Sequence, residues 1–435
     1  MASEPVDGPV TVPGRWRGGR RRGSARGAGV DERQSLVGNQ FEVEIGPVAH
    51  GGHCVARYDG RVVFVRHALP GELTRVHVTR GHDGDRFLFG DAVEVLRPSE
   101  HRVTPPCPYA GPGKCGGCDW QHATPAYSRR LKGQVVAEQL SRLAGLELEP
   151  VVEQLPGDEE GLRWRTRVEF AIDDSGRAGL RRHHSHDVVP VQDCLIATRR
   201  VVESGVLDGA WAGQRAVDVV DASAEAGVVV VPVPGGERDA PVVQERVGID
   251  GWSGDFRVGA RGFWQVHPGA AATFVSAVLQ GLQPGSGERA LDLYCGVGLF
   301  ATALADAVGP TGAVLGVESD PAAAGHASFN ARDRPVVEIR RGRVERALDA
   351  LVEQGIRADL VVLDPPRTGA GRTVMQQIAA LAPRAVAYVA CDPAALARDV
   401  GYARDAGYRL DRIRAFDAFP MTHHVECIAV LQPNR

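Results

Sequence analysis

Between residues 39 and 98 apolar and polar positions alternate in short runs. They are Phe41-Glu-Val-Glu-Ile45, Val62-Val-Phe-Val65, Leu73-Thr-Arg-Val-His-Val78 and Ala92-Val-Glu-Val-Leu96, separated by Gly- or Asp-containing turns. Alternation of this period predicts strands with one buried face, and several in succession predict a small β-barrel. Over 125–147 the rhythm becomes helical. Thr124 or Pro125 starts the helix, and Val135, Val136, Leu140, Leu143 and Leu146 make its apolar face. The stretch 161–250 leans to strand and is interrupted by Gly and Pro. From about 284 a regular α/β alternation begins. Arg289-Ala-Leu-Asp-Leu-Tyr294, Ala313-Val-Leu-Gly-Val-Glu318, Asp359-Leu-Val-Val-Leu-Asp364 and Ala385-Val-Ala-Tyr-Val-Ala390 are apolar throughout. Strands of that kind are buried on both faces of a parallel sheet. No helix lies between Tyr408–Phe416 and His424–Leu431, so these two should pair antiparallel at the sheet edge.

Composition adjusts this picture at a few points. At 435 residues the chain needs two to four domains, and 43% apolar content can fill them. No apolar run approaches the roughly 18–20 residues that cross a membrane, and no apolar h-region follows the N-terminus. A soluble, cytoplasmic protein is expected. The net charge of −4 excludes a uniformly basic nucleic-acid binder but leaves local patches open. Lys114 and Lys132 are the two lysines; arginine carries the other positive charges. Residues 1–38 are rich in Gly and Arg and too poor in large apolar residues to order themselves. The segment reads as a disordered tail, with an electrostatic RNA tether as the alternative.

Ligands of open α/β sheets sit beyond the carboxyl ends of the strands. Asp292-Leu-Tyr-Cys-Gly-Val-Gly298 falls there, and Glu318 ends the next strand, where a carboxylate can accept from both hydroxyls of a ribose. The turn is not GxGxxG and has no P-loop lysine, which disfavours dinucleotides and triphosphates. A nucleoside without phosphates fits, and S-adenosylmethionine is the natural candidate.

Three further strand ends carry chemistry: Asp364-Pro-Pro-Arg-Thr-Gly369, Cys391-Asp-Pro393 and Thr422-His-His-Val-Glu426. A thiol, a carboxylate and a methyl donor at one rim suggest methylation of carbon 5 of a pyrimidine, which is a poor nucleophile. Addition of the Cys391 thiolate to carbon 6 makes the ring an enolate that can attack an electrophilic methyl. Glu426 could then remove the proton on carbon 5. An isolated strand-end cysteine is more often a small buried hydrophobe, and Cys295 and Cys427 are read that way. Separately, Cys107, Cys115 and Cys118 form C-x7-C-x2-C, with Cys194 further on. Four thiolates suit zinc or an iron–sulfur cluster, and spacing does not separate the two.

From about 39 to 435 the chain resembles the RNA uracil-5 (5-methyluridine) methyltransferases. The matching elements are Leu291–Gly298, Leu363–Gly369, Val389–Pro393 with Leu396–Asp399, and Phe419–Glu426. The resemblance implies that Cys391 is the nucleophile and Glu426 the base. It also implies that Gln265, within Phe263-Trp-Gln-Val-His267, together with Tyr294, Glu318 and Asp364, contacts the cofactor or the target base. It implies an OB-like RNA-binding barrel, the TRAM domain, at 39–98. A central domain at 99–255 would carry the cysteine cluster, and a Rossmann-like, S-adenosylmethionine-dependent methyltransferase domain would occupy 256–435. Some relatives hold a [4Fe–4S] cluster, which tips Cys107, Cys115, Cys118 and Cys194 toward iron–sulfur over zinc. The expected partner is RNA, transfer or ribosomal, with a lean toward ribosomal. Cytosine-5 methylation and a catalytically silent RNA-binding protein are the competing readings.

Overall fold

The structure, a computed structural model, describes residues 33–234 and 240–434. Most of the Arg/Gly-rich segment expected at 1–38 lies outside the described residues. No helix among the described residues is long and apolar enough to cross a membrane.

The alternating segment forms a closed five-stranded barrel in the order Gln40–Val48, Cys54–Tyr58, Arg61–Arg66, Phe87–Arg97, Leu73–Arg80. Phe41, Val43, Ile45, Val63, Val65, Val76 and Val78 point inward as the alternation predicts. Trp120 and Leu131 from the following segment complete that core. The Cys54–Tyr58 strand was not read from the sequence, because Ala56 and Arg57 blunt its alternation.

The helix starts as expected, with Thr124 capping Pro125–Gln139. It then widens into a π-helical turn, Leu140–Ala144, and ends at Gly145. The wider turn rotates later side chains. Val135, Val136 and Leu140 stay buried, but Leu143 is exposed, contrary to the expected apolar face.

Residues 167–259 build a five-stranded antiparallel sheet, ordered Val229–Val233, Ala216–Val220, Arg167–Ile172, Ala178–Arg181, Val188–Pro190, and a separate hairpin, Val242–Ile249 with Trp252–Gly259. The remainder forms an eight-stranded sheet. Its order is Val337–Arg341, Ala313–Glu318, Arg289–Leu293, Leu360–Leu363, Ala385–Ala390, Glu426–Pro433, Tyr408–Asp417, Val152–Gln154. The first five are parallel; Glu426–Pro433 runs against both its neighbours. The C-terminal hairpin is antiparallel as expected, but it is not the edge. Val152–Gln154 adds in parallel outside it, a three-residue strand too short to carry a period.

Alternate residues serve opposite faces. Ala290, Val362, Ala387 and Val389 meet the helices Ala270–Leu282 and Leu299–Val308. Leu291, Leu293, Val361, Leu363 and Tyr388 meet Val344–Glu353, Gly371–Ala380 and Pro393–Asp405. Each fully buried Leu or Val side chain contributes roughly 1.5–3 kcal/mol, so the sheet is a rigid mount for its carboxyl rim.

Candidate active site at the carboxyl rim of the sheet

Register brings the sequence-predicted residues together. Leu293 pairs with Val317 and with Leu363, and Leu363 pairs with Tyr388. Tyr294, Glu318 and Asp364 therefore leave neighbouring strands at the same end. Ala390 pairs antiparallel with Cys427. One step further along both strands, Cys391 lies across from Glu426.

The Gly-containing turn Asp292–Gly298 is built on backbone geometry. Tyr294 holds a left-handed φ of 61°, a conformation that costs a non-glycine residue energy and clusters at functional sites. Glu318 accepts from the Gly296 amide at 3.0 Å and from the Asp320 amide at 2.7 Å, which fixes its carboxylate at the strand end. Asp292 is buried and accepts from the Ala301 amide at 2.7 Å, while its other oxygen has no partner. Burial, with Asp364 and Glu318 adding to it, holds the Asp292 carboxyl well above its ordinary range.

The Asp364 loop is tied down from below. Asp399, fully buried, accepts from the Ala370 amide at 2.7 Å, the Gly371 amide at 3.0 Å and the Tyr388 hydroxyl at 2.7 Å. Gly369 has φ 78°, and a Cβ there would lie 2.5 Å from Asp399 Oδ2. Only glycine fits both demands.

Three acidic groups crowd the rim. Burial raises Asp364 to about 7. Burial, then Asp364, keep Glu426 well above the usual carboxylate range, with Arg367 opposing. Burial, then Glu426 and Asp364, push the half-buried Cys391 thiol up to about 12, again against Arg367. Without ligands, burial and the neighbouring acidic groups thus disfavour the charged forms of both Cys391 and Glu426. Arg367, the nearby cation, was not singled out from the sequence; its place in the Asp-Pro-Pro-Arg loop was the available signal. Asp399 was noted only as part of a matching motif. Its anchoring of a distant loop has no local signature.

Gln265 is buried and lines a cleft of about 320 Å³ with Thr166, Asp221, Glu245, Trp264 and His267. Cys194 is buried, and Cys107, Cys115 and Cys118 are half-buried in the loop 107–118. The Gln121 side chain donates to Cys118 Sγ at 3.2 Å and accepts from the Cys107 amide at 3.2 Å, and the Gly117 amide donates to Cys115 Sγ at 3.4 Å. All four cysteines are free of disulfides. Among the described residues no three His, Cys, Asp or Glu side chains are gathered tightly enough to hold a single metal ion. Cys295 and Cys427 are buried, as read.

Comparison with known proteins gives a consistent likeness. A family model described as tRNA (Uracil-5-)-methyltransferase matches residues 237–434, and a TRAM domain model matches 34–93. A protein of Streptomyces coelicolor described as an uncharacterized RNA methyltransferase is 52% identical, over 93% of this chain and 95% of its own length. A similarly described protein of Bifidobacterium longum is 41% identical over 90% and 96%. Among solved structures, the Pyrococcus abyssi tRNA (uracil-54, C5)-methyltransferase in complex with S-adenosyl-L-homocysteine superposes with a TM-score of 0.64. It covers 89% of this chain and 99% of that one, at 22% identity, a likeness of fold.

Proposed function

This chain belongs to the S-adenosylmethionine-dependent RNA (uracil-5-)-methyltransferases, and from that membership we propose that it methylates carbon 5 of a uridine through a transient bond between Cys391 and carbon 6. The observation that carries this reading is the facing of Cys391 and Glu426 across adjacent strands, with Asp364 and Arg367 beside them.

In this reading the turn Asp292–Gly298 and the fixed carboxylate of Glu318 hold the nucleoside part of the cofactor, with Tyr294 and Asp364 at its margin. When bound, the cofactor supplies an electrophilic methyl group and the positive charge of its sulfonium. The Cys391 thiol gives its proton to solvent, and its sulfur pair forms a bond to carbon 6. The carbon 5–carbon 6 π electrons become an enolate, so carbon 5 accepts the methyl. Glu426 takes the proton from carbon 5, the double bond re-forms and the thiolate leaves. One proton is released per turnover. Glu426 and Cys391 must both ionise first. Arg367 favours that, and a further positive charge in the same cleft acts in the same sense.

The barrel at Gln40–Arg97 is assigned to gripping RNA, transfer or ribosomal, and a reaction on RNA puts the protein in the cytoplasm. Cys107, Cys115, Cys118 and Cys194 are assigned to a [4Fe–4S] cluster. The assignment follows the family resemblance, and it is supported by four thiols free of disulfides and by N–H donors to the sulfurs of Cys115 and Cys118. Gln265 is carried as a contact to cofactor or base on the resemblance alone.

The test is nucleoside mass spectrometry of RNA from a deletion strain and its parent. Loss of one 5-methyluridine is expected. Unchanged 5-methyluridine with loss of 5-methylcytidine would replace uracil by cytosine, and no change in either would leave a silent RNA binder.

A further inference from the structure

The loop between the first two barrel strands, residues 49–53, reaches both catalytic strand ends. His50 Nε2 lies 3.2 Å from Asp392 Oδ2, directly after Cys391. The other oxygen of Asp392 accepts from the Ala395 amide at 2.8 Å and caps the helix Pro393–Asp405. One carboxylate thus joins the barrel loop, the thiol-bearing residue's neighbour and a helix N-terminus. Two positions on, Gly52 lies flat against His423, three residues before Glu426. Its φ is 82°, and a Cβ there would sit 2.5 Å from His423 Cβ. The loop is itself held: the Ala49 amide donates to the His53 carbonyl at 2.7 Å, and Trp120 Nε1 donates to the Gly52 carbonyl at 3.1 Å.

We propose that His50 is a positioning residue for Cys391, acting through Asp392, and that the barrel thereby completes the catalytic site as well as gripping RNA. The inference rests on Cys391 being the nucleophile. Cys391 is the single residue between the end of its strand and the Asp392 cap, so a turn of Asp392 moves the sulfur. Misplacement of a reacting atom by about 1 Å costs on the order of 100-fold in rate. A half-exposed imidazole is an unusual partner for a helix cap, and this contact joins two units of the fold.

The groups facing His50 are Asp392, on the catalytic strand end, and Glu138, on the helix Pro125–Gln139. The hydrogen bond with Asp392 is the main cause of a pKa raised above the ordinary 6.5, against burial. A raised pKa means the ion pair is complete below the ordinary value and weakens as pH climbs through the raised one.

The experiment measures kcat, RNA affinity and thermal stability for the full-length protein, for His50→Ala, for His50→Gln, for Asp392→Asn and for the double variant His50→Ala/Asp392→Asn. Asn still caps a helix, and Gln still donates to Asp392. His50→Ala is expected to lose about 10- to 100-fold in kcat with RNA affinity and melting temperature unchanged, and His50→Gln to recover part of it. The double variant should lose no more than the worse single one, since both break one contact. The wild-type to His50→Gln ratio in kcat should be largest at low pH and fall as His50 deprotonates. Unchanged kcat in His50→Ala, additive losses, or a loss of RNA affinity at constant kcat would each overturn the proposal. Cys391→Ala run alongside separates the two claims: full turnover there would remove the nucleophile itself, whatever His50 does.

Discussion

The Asp119 carboxylate accepts twice from His423, from its backbone amide at 3.0 Å and from Nδ1 at 2.7 Å. The Asp119 and Trp120 amides return the link by donating to the Met421 carbonyl at 2.9 and 3.0 Å. Asp119 follows Cys118 and His423 precedes Glu426 by three residues, so the cysteine loop and the catalytic loop are stitched together. Burial would push the Asp119 carboxyl up, but His423 and then Arg66 pull it well below its usual range. Asp119→Ala would leave the buried Arg66 without its carboxylate and free the loop. About 3 kcal/mol of stability should be lost, together with kcat, as read by urea unfolding and methyl transfer. A variant with wild-type unfolding and turnover would refute the stitch.

The chain uses arginine almost everywhere, yet among the described residues the fully buried cation is Lys132, whose Nζ lies 2.5 Å from Asp417 and 3.0 Å from the Phe419 carbonyl. Lys132→Met strands Asp417 and is expected to cost about 3–5 kcal/mol. The pair Lys132→Met/Asp417→Leu should recover much of it. Urea midpoints of the two variants and of the wild type decide the matter. Equal midpoints for Lys132→Met and wild type would contradict the assignment.

Cys391 ionises late because burial and the acidic neighbours oppose its charge. Its alkylation by iodoacetamide, followed by peptide mass mapping, should rise about tenfold per pH unit through neutral pH without a plateau below pH ~10. Glu426→Gln removes one opposing charge and should shift the whole curve to lower pH. A plateau near neutral pH in the wild-type protein would contradict this account of the rim.

Protein purified without oxygen should contain iron and acid-labile sulfide in equal amounts, and Cys118→Ser should lose both. Because Asp119 ties that loop to His423, loss of the cluster should also lower kcat. Zinc without iron would overturn the cluster assignment.

How much of this could be read from the chain follows from how local each signal is. The rim was legible because apolar strands in alternation fix where their ends fall, and the residues at those ends are polar where the core no longer needs them. Asp364, Cys391 and Glu426 are of this kind. Leu143 was misread because it lies within the π-helical turn Leu140–Ala144, which rotates it off the apolar face, and no residue type announces such a turn. The edge strand Val152–Gln154 is too short to carry a period. Asp399, Lys132 and His50 act on partners 29, 285 and 342 residues away, and sequence periodicity carries no information at that range.

The most direct measurement is intact-complex mass spectrometry of Glu426→Gln incubated with substrate RNA and S-adenosylmethionine. The account predicts that 5-methylated RNA accumulates bound to the protein through Cys391, and that the species is missing when Cys391→Ala is added to the same variant. Free methylated RNA released at the wild-type rate by a chain lacking the Cys391 sulfur would contradict it.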